Sequence, residues 1–379
     1  MLSIVPVVTR KHWRDFHDLP HAIYRDDPHW IAPLRLERKI HFDRKHNPFF
    51  AHAEVAFWLA YRGDIPVGRI SAQIDRLHLE RYRDATGHFG FLDAVDDPAV
   101  FAALLKEAEG WLRDRGMQRA LGPVSFSMWD EPGLLIEGFD TPPYVVMGHD
   151  RPYARAHIEA LGYHGAQDLI AYDYDLESPL LPLAQRTLER ARRSGRIVLR
   201  DIRLDRAHLD AEVALILDIL NDAWSTNWGF VAMTPAEVAD LASTFRLLLK
   251  PQDVRIAYFD GEPAGFVMSL PNLNEAIAGL DGRLFPFGWL TLLWRLKVRG
   301  VGSVRLMMLG IRKSLQSSPA SAMLAMTLIE AQRSFYRPRR IKRAELGWVL
   351  DSNTRMRRVI GLVGAKPYKT YRVYEKALR

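Results

Sequence analysis

Four groups of residues in this chain have side chains suited to chemistry. His149, between Asp130-Glu131 and Tyr153, could take a proton near neutral pH, because imidazole titrates closest to it. Tyr153 could deliver one; a structural hydrogen bond for the histidine and plain packing for the tyrosine are the alternatives. Glu345 and Asp351 are carboxylates that could act as bases, or could serve instead in a salt bridge to Arg343 and as a helix cap. Arg312 and Lys313, followed by Ser317, Ser318 and Ser321, place cations, hydroxyls and backbone N–H groups ahead of a helix expected over 321–335. That arrangement suits a bound anion such as a phosphate, with an ordinary Ser-capped helix as the simpler reading. Finally, Phe285, Phe287, Trp289 and Trp294 fall in the uncharged run 284–294, which Arg283 precedes and Arg295, Lys297 and Arg299 follow. A stretch of this kind is either core or touches something greasy, and Pro286 and Gly288 argue against a long buried helix.

Other chemistries find no support. The chain has no cysteine, which removes disulfides, thiolate metal sites and a thiol nucleophile. No Walker loop, G-x-G-x-x-G, H-E-x-x-H or G-x-S-x-G occurs, and no helix offers the paired glutamates of a Nudix-type pyrophosphohydrolase. Neither a metal nor a permanently bound cofactor is expected.

The 379 residues exceed the usual size of one domain, and 26% charged residues without low-complexity tracts predict a chain folded throughout. A net charge of +7 favours anionic partners: a phosphorylated cofactor, a phospholipid surface or nucleic acid. The densest basic stretch, Arg337-Pro-Arg-Arg-Ile-Lys-Arg343, is either a solvated turn or a phosphate or lipid contact. No apolar run is long enough to span a bilayer, and the N-terminus is too short for a secretory signal, so the cytoplasm is the expected compartment.

A domain-sized repeat supplies the elements that would position these groups. Ala60-Tyr61 with Gly63, Pro66 and Gly68 recurs as Ala257-Tyr258 with Gly261, Pro263 and Gly265, an offset of 197 residues. Both copies read as β-hairpins. Two helices stopped by glycine, Arg155 to Gly162 and Arg357 to Gly364, recur at an offset of 202, each followed by a tyrosine-rich strand. Each half thus runs hairpin, strand, helix, strand, helix, strand. The predicted fold is α/β, with modules at 1–180 and 195–379 and an Arg-rich connecting helix at 181–194.

That order of elements, together with Ala344-Glu-Leu-Gly-Trp-Val-Leu-Asp-Ser-Asn353, Met356, Gly364-Ala365 and Tyr371-Arg-Val-Tyr-Glu-Lys376, resembles the GNAT superfamily of acyl-CoA N-acyltransferases, twice over. Phe89-Gly-Phe-Leu-Asp93, Gly133-Leu-Leu, Glu137-Gly-Phe139, Met147-Gly-His149 and Phe285-Pro-Phe-Gly-Trp289 resemble a narrower proteobacterial group similar to the bacterial ceramide synthases, which acylate a long-chain sphingoid amine. The resemblance implies acyl-CoA as co-substrate and an amine acceptor, lipid-like if the narrower group applies. It places the thioester carbonyl against a backbone N–H near Leu309-Gly310-Ile311 and the pantetheine arm beside Asn353, with the pyrophosphate at Arg312 to Ser321. The first copy carries Asp96-Asp97-Pro98 at the pyrophosphate position, which would repel it, so cofactor binding is expected in the second copy alone. The superfamily's usual acid, a tyrosine on the helix after Asn353, is missing, so catalysis is expected to use groups from both halves, across their interface. Glu131 joins the candidates for that reason. Two readings compete: a FemABX-like aminoacyl transferase, also a double GNAT fold, and a non-catalytic double module binding membrane or nucleic acid through its basic face. Nucleic acid is the less expected partner. The run 284–294 would place the enzyme peripherally on the inner face of the cytoplasmic membrane.

Overall fold

The computed structural model describes residues 1–378, apart from the side chains of 244–247. It divides into two compact units. The first comprises Met1–Leu169, Ile277–Trp294 and the residues from Lys369 onward, and the second comprises Ile170–Ala276 and Arg295–Tyr368. The sequence places module boundaries at 180 and 195. Compactness instead assigns residues 369–377 to the first unit, and it packs the helix Pro182–Ser194 inside the second through Ala184, Leu188 and Ala191.

In the first unit the strands run Leu2–Pro6, Ala53–Arg62, Ile65–Asp75, Thr86–Ala94, Arg119–Gly122 and then residues 369–377. In the second they run Ile197–Asp201, Val254–Phe259, Glu262–Pro271, Ser303–Ile311, Arg343–Leu350 and then residues 170–175. Both units are mixed α/β. The repeated hairpins share a detail: the register slips between Ala60 and Tyr61 in one and between Ala257 and Tyr258 in the other. The second hairpin closes on Asp260-Gly261, both at positive φ, as a two-residue type I′ turn requires. The glycine-stopped helices run Tyr153–Ala160 and Thr354–Leu362, with Gly162 and Gly364 at φ near +84° and +83°.

One face of the first sheet is covered by the helix Pro98–Arg113, whose Val100, Phe101, Leu104, Leu105, Ala108 and Leu112 are buried. The other face carries an aromatic cluster of Phe16, Phe42, Phe49, Phe57, Phe91 and Phe126. In the second unit the helix Pro319–Tyr336, two residues longer at its start and one at its end than the sequence suggests, fills the equivalent place. Two further helices, Leu209–Trp224 and Pro235–Leu248, precede the second hairpin. Among the described residues no helix is long and apolar enough to cross a membrane.

Candidate functional site

The strands Ser303–Ile311 and Arg343–Leu350 begin as a parallel pair, Ser303 to Leu306 against Arg343 to Leu346, and then part. A bulge explains the parting. Met268 pairs with Met308 and Ser269 with Leu306, so Met307 is an extra residue that bends the strand away from its neighbour. A cleft of about 70 Å³ opens where pairing ends, lined among others by Trp224, Asn227, Leu309, Trp348, Asn353 and Met356. Trp224 Nε1 donates to Leu309 O at 3.2 Å, so the edge of the strand at Leu309 is taken up from outside the sheet.

Of the expected cofactor residues, Leu309 and Asn353 line this cleft, and Ile311, Arg312, Lys313, Ser317, Ser318 and Ser321 are not among its lining residues. Asn353 caps the helix Thr354–Leu362, its Oδ1 accepting from Met356 N at 3.1 Å, and also lines the cleft. Ile311 is buried, and the chain turns out of the sheet at Arg312, whose N–H donates to Ala264 O at 2.9 Å. The two cations do not stand free. Arg312 bonds Asp218 at 2.5 Å and Pro263 O at 2.8 Å, and Lys313 Nζ donates to Ser225 Oγ at 2.5 Å. Ser318 caps the helix Pro319–Tyr336 without a side-chain bond to its N–H groups, because its hydroxyl donates to Leu315 O at 2.7 Å. In the first turn Pro319 carries no N–H, and the Ser321 N–H donates to Ser318 O at 3.1 Å.

The two carboxylates of this unit have structural partners. Glu345 is fully buried, with Oε1 3.0 Å from Arg305 Nε on the parallel neighbour and Oε2 accepting from Tyr368 OH. The salt bridge is thus to Arg305; Arg343 bonds Asp173 instead. Asp351 is exposed in the turn, its backbone oxygen accepting from Arg357 Nη1 at 2.9 Å.

In the first unit, His149, Tyr153 and Glu131 each have a separate partner. His149 Nε2 lies 2.9 Å from Asp27 Oδ2, with the imidazole 1% exposed. Burial lowers its pKa, overriding the opposite pull of Asp27, so the ring is neutral at pH 7. Burial raises that of Asp27, but hydrogen bonds from His29 N–H and His149 outweigh it and hold the carboxylate below its ordinary range. A carboxylate on Nε2 fixes the proton there and leaves Nδ1 as the lone-pair nitrogen; it is buried, with no hydrogen-bond partner among the described residues. This dyad has the form of a base. Tyr153 OH instead donates to Ala94 O at 2.7 Å, and burial pushes its pKa up to about 12. Glu131 is held by Arg38.

The first unit repeats the bulge and the parting of strands: Thr86 to His88 pair with Arg119 to Leu121, and the register then slips opposite Arg69 to Ser71. Here the chain itself fills the gap. Phe91 N–H donates to Ser125 Oγ at 3.1 Å, and a Cβ on Gly90 would come within 2.3 Å of Val124 O. At the helix start, Asp97 caps Ala99 N at 2.8 Å and bonds Arg62, while Asp96 pairs with His157 at 2.7 Å.

The run 284–294 forms the short helix Gly288–Trp294 and the loop before it. Phe285 is 78% exposed, Phe287 71%, Trp294 52% and Trp289 43%, so these rings are not core. Sequence reading did not single out Asp27, Arg305, Trp224 or Asn227. Only Trp224 had a legible signal, the apolar spacing of Leu209, Val213, Ile216, Leu217 and Leu220 on the helix that ends in it.

No protein-family model matches the chain. It is 48% identical over 378 residues to the bacterial ceramide synthase of Caulobacter vibrioides (strain NA1000 / CB15N), covering 100% of this chain and 98% of the relative. It is 43% identical over 364 residues to Protein YghO of Escherichia coli (strain K12), covering 96% and 92%. Among solved structures, a tandem GNAT protein from the clavulanic acid biosynthesis pathway superposes with a TM-score of 0.57 at 12% identity, covering 100% of this chain and 99% of that one. A GCN5-related N-acetyltransferase from Sphaerobacter thermophilus gives a TM-score of 0.54 at 12% identity, covering 100% and 96%. The fold is that of tandem GNAT proteins, and the chain belongs to the family of the bacterial ceramide synthase, a family of acyl-CoA-dependent N-acyltransferases.

Proposed function

We propose that this enzyme transfers the acyl group of an acyl-CoA to the primary amine of a long-chain sphingoid base, at the inner face of the cytoplasmic membrane. The observation that carries the reading is the cleft where Ser303–Ile311 and Arg343–Leu350 part, with Leu309 and Asn353 on its walls. In it the pantetheine arm runs beside Asn353, and the thioester oxygen takes the backbone N–H of Leu309, which leaves the strand on the same side as the carbonyl that Trp224 holds. The pyrophosphate meets the start of Pro319–Tyr336 at Ser317, Ser318 and Ser321, with Arg312 and Lys313 adding positive potential. One acyl-CoA binds per chain, because the first unit's gap is filled by Val124 and Ser125 and its helix start is acidic.

The amine nitrogen attacks the thioester carbon; a C–N bond forms, the C–S bond breaks, and the sulfur leaves as coenzyme A thiol after taking a proton. The amine must lose a proton, and His149, neutral with Asp27 on Nε2 and its buried Nδ1 without a hydrogen-bond partner among the described residues, is a group in the state to accept one. A lipid-like acceptor agrees with the name of the relative and with the exposed Phe285, Phe287, Trp289 and Trp294. These rings reach into the headgroup region of an anionic membrane, attracted there by the basic residues flanking them in sequence.

The test is reconstitution: purified protein with palmitoyl-CoA and sphinganine, followed by thiol release and by mass spectrometry of the N-acylated product. Thiol release matched by ceramide-type product supports the reading. Product with small amines but none with sphinganine overturns the lipid acceptor, and no amine-dependent thiol release overturns acyl transfer.

A further inference from the structure

A groove of about 1230 Å³ lies at the sheet edge of the first unit, where the strand Leu2–Pro6 stops short of the full length of Ala53–Arg62. Residues of the helices Arg10–Ile23 and Arg35–His41 wall it. The strand edge inside it is closed to a further strand: Val7 N–H donates to Phe57 O at 2.9 Å, and the next outward carbonyl, Val55 O, accepts from Arg44 Nη2 at 2.5 Å. What the groove offers instead is positive charge. Six cations, Arg10, Arg14, Arg35, Lys39, Arg44 and Lys45, line it against two carboxylates, Asp18 and Asp43, which already bond Arg35 and His46. The side chains of Arg10, Arg14, Lys39 and Lys45 are exposed and have no ion pair or hydrogen bond among the described residues. Folding gains nothing from this placement. Arg10 and Arg14 are like charges one turn apart at the start of a helix, where their mutual repulsion and the helix dipole are both unfavourable. An anion in the groove turns that cost into attraction.

The flank of the groove indicates which kind of anion. On the helix Arg35–His41, Arg35 and Lys39 line the groove one turn apart, while their neighbours Leu36 and Ile40 are each more than half exposed. Val8, in the lining itself, is more exposed still. The start of the same helix is tied to the segment that carries the exposed rings. Arg35 N–H donates to Gly282 O at 3.0 Å, and His21 Nδ1 lies 3.0 Å from Asp281 Oδ1, so the chain leading into Phe285 is fastened beside the groove wall. A soluble anion accounts for the cations alone. An anionic phospholipid accounts for the cations through its phosphate and for Val8, Leu36 and Ile40 through its hydrocarbon chains.

We propose that this groove binds the headgroup of an anionic phospholipid, with Arg10, Arg14, Lys39 and Lys45 drawing in its phosphate. The inference rests on the membrane part of the functional reading and adds to it a headgroup site in the first unit, separate from the exposed rings.

The test variant combines Arg14→Gln, Lys39→Gln and Lys45→Gln; all three side chains are exposed and unpaired, so the melting temperature should not change. Each cation near an anionic surface favours binding about fivefold, so affinity for vesicles of phosphatidylcholine with phosphatidylglycerol should fall roughly a hundredfold. A control with the same loss of charge, Arg337→Gln with Arg340→Gln and Lys342→Gln in the second unit, should lose far less. Equal losses from the two variants would mean attraction by net charge alone and overturn the proposal. So would unchanged binding by the groove variant, which would leave its cations to another anion, such as an acidic protein. Dihexanoylphosphatidylglycerol, kept below its micelle concentration, probes the groove without a membrane. Calorimetry should show it binding the wild type more tightly than the groove variant. Inorganic phosphate binding as tightly would assign the groove to a free anion and overturn the lipid source. If the wild type ignores vesicles but binds the soluble lipid through these residues, the peripheral-membrane reading falls and the headgroup site is supported. No binding of either overturns both.

Discussion

Acidification from pH 7 to pH 5 should loosen the first unit while sparing the second. Twelve of the thirteen histidines belong to the first unit; His208 alone belongs to the second, and it is exposed. Burial drives the pKa of His17 down to about 4, assisted by Arg69. Burial likewise takes His41 to about 3, assisted by Arg38, and His88 to about 3, assisted by His78 and Arg119 against the opposing pull of Asp84. A histidine with a depressed folded pKa contributes stability above its unfolded value near 6.5, and that contribution is lost as the pH falls toward the folded value. Asp150 works in the other direction: burial raises its carboxyl to about 8, so the folded state already holds its proton across this range. Near pH 5 the unfolded first unit therefore binds about three more protons on histidine and one fewer on Asp150, a net of about two. The slope reaches about 3 kcal/mol per pH unit near pH 5 and integrates to about 3 kcal/mol between pH 6.5 and 5, a large part of the 5–15 kcal/mol typical of a domain. Hydrogen–deuterium exchange, corrected for the intrinsic pH dependence, reads the units separately through peptides from 1–169 and 170–276. Protection lost equally in both, or first in the second unit, would refute the argument. In His88→Phe the slope should fall by about a third to a half.

Three further outcomes are expected. Glu345→Gln leaves Arg305, whose side chain is 4% exposed, without its counter-charge and should cost about 3–5 kcal/mol in urea denaturation, whereas the double change Arg305→Met with Glu345→Leu should recover most of it; a single variant as stable as wild type would mean that the pair carries no structural weight. His149→Gln should lower kcat by roughly ten- to ten-thousand-fold with a smaller change in KM, and the acid limb of the wild-type kcat/KM profile should fall below pH 6.5; because Asp27 pulls the histidine pKa upward, Asp27→Asn should move that limb to still lower pH, and an immobile limb removes the dyad from the mechanism. Phe285→Ser with Trp294→Ser should abolish flotation with anionic vesicles at low salt without altering the melting temperature, since both rings are more than half exposed; a wild type that does not float ends the membrane reading.

Local features of the sequence carried the fold well, and pairings distant along the chain did not follow from it. The hairpins were readable because Gly63, Asp260 and Gly261 mark turns between alternating runs, and the helix ends because Gly162 and Gly364 supply the positive φ that a C-terminal cap needs. The bulge at Met307 left no trace, because an extra residue in an apolar strand looks like any other residue of that strand. Asp27 is 122 residues from His149, in an Asp-Asp-Pro stretch with no motif, so only folding brings the two together. Glu345 could be paired only by knowing the parallel register that sets Arg305 opposite it, and sequence proximity pointed to Arg343 instead. The filling of the first unit's gap by Val124 and Ser125 was equally hidden, although the acidic start of its helix pointed the same way.

The strand formed by residues 369–377 bears on how the protein is made. It pairs with Arg119–Gly122 and Leu134–Glu137 and contributes Tyr371, Val373 and Tyr374, all fully buried, to the first unit. A ribosome reaches these residues some 200 codons after Leu169, on the order of 10–40 s at usual elongation rates. Throughout that interval the half synthesised first exposes an open sheet edge and the apolar positions that Tyr371, Val373 and Tyr374 will cover. Its nascent form is thus a natural client for chaperones, and a premature stop codon late in the message damages the unit translated earliest.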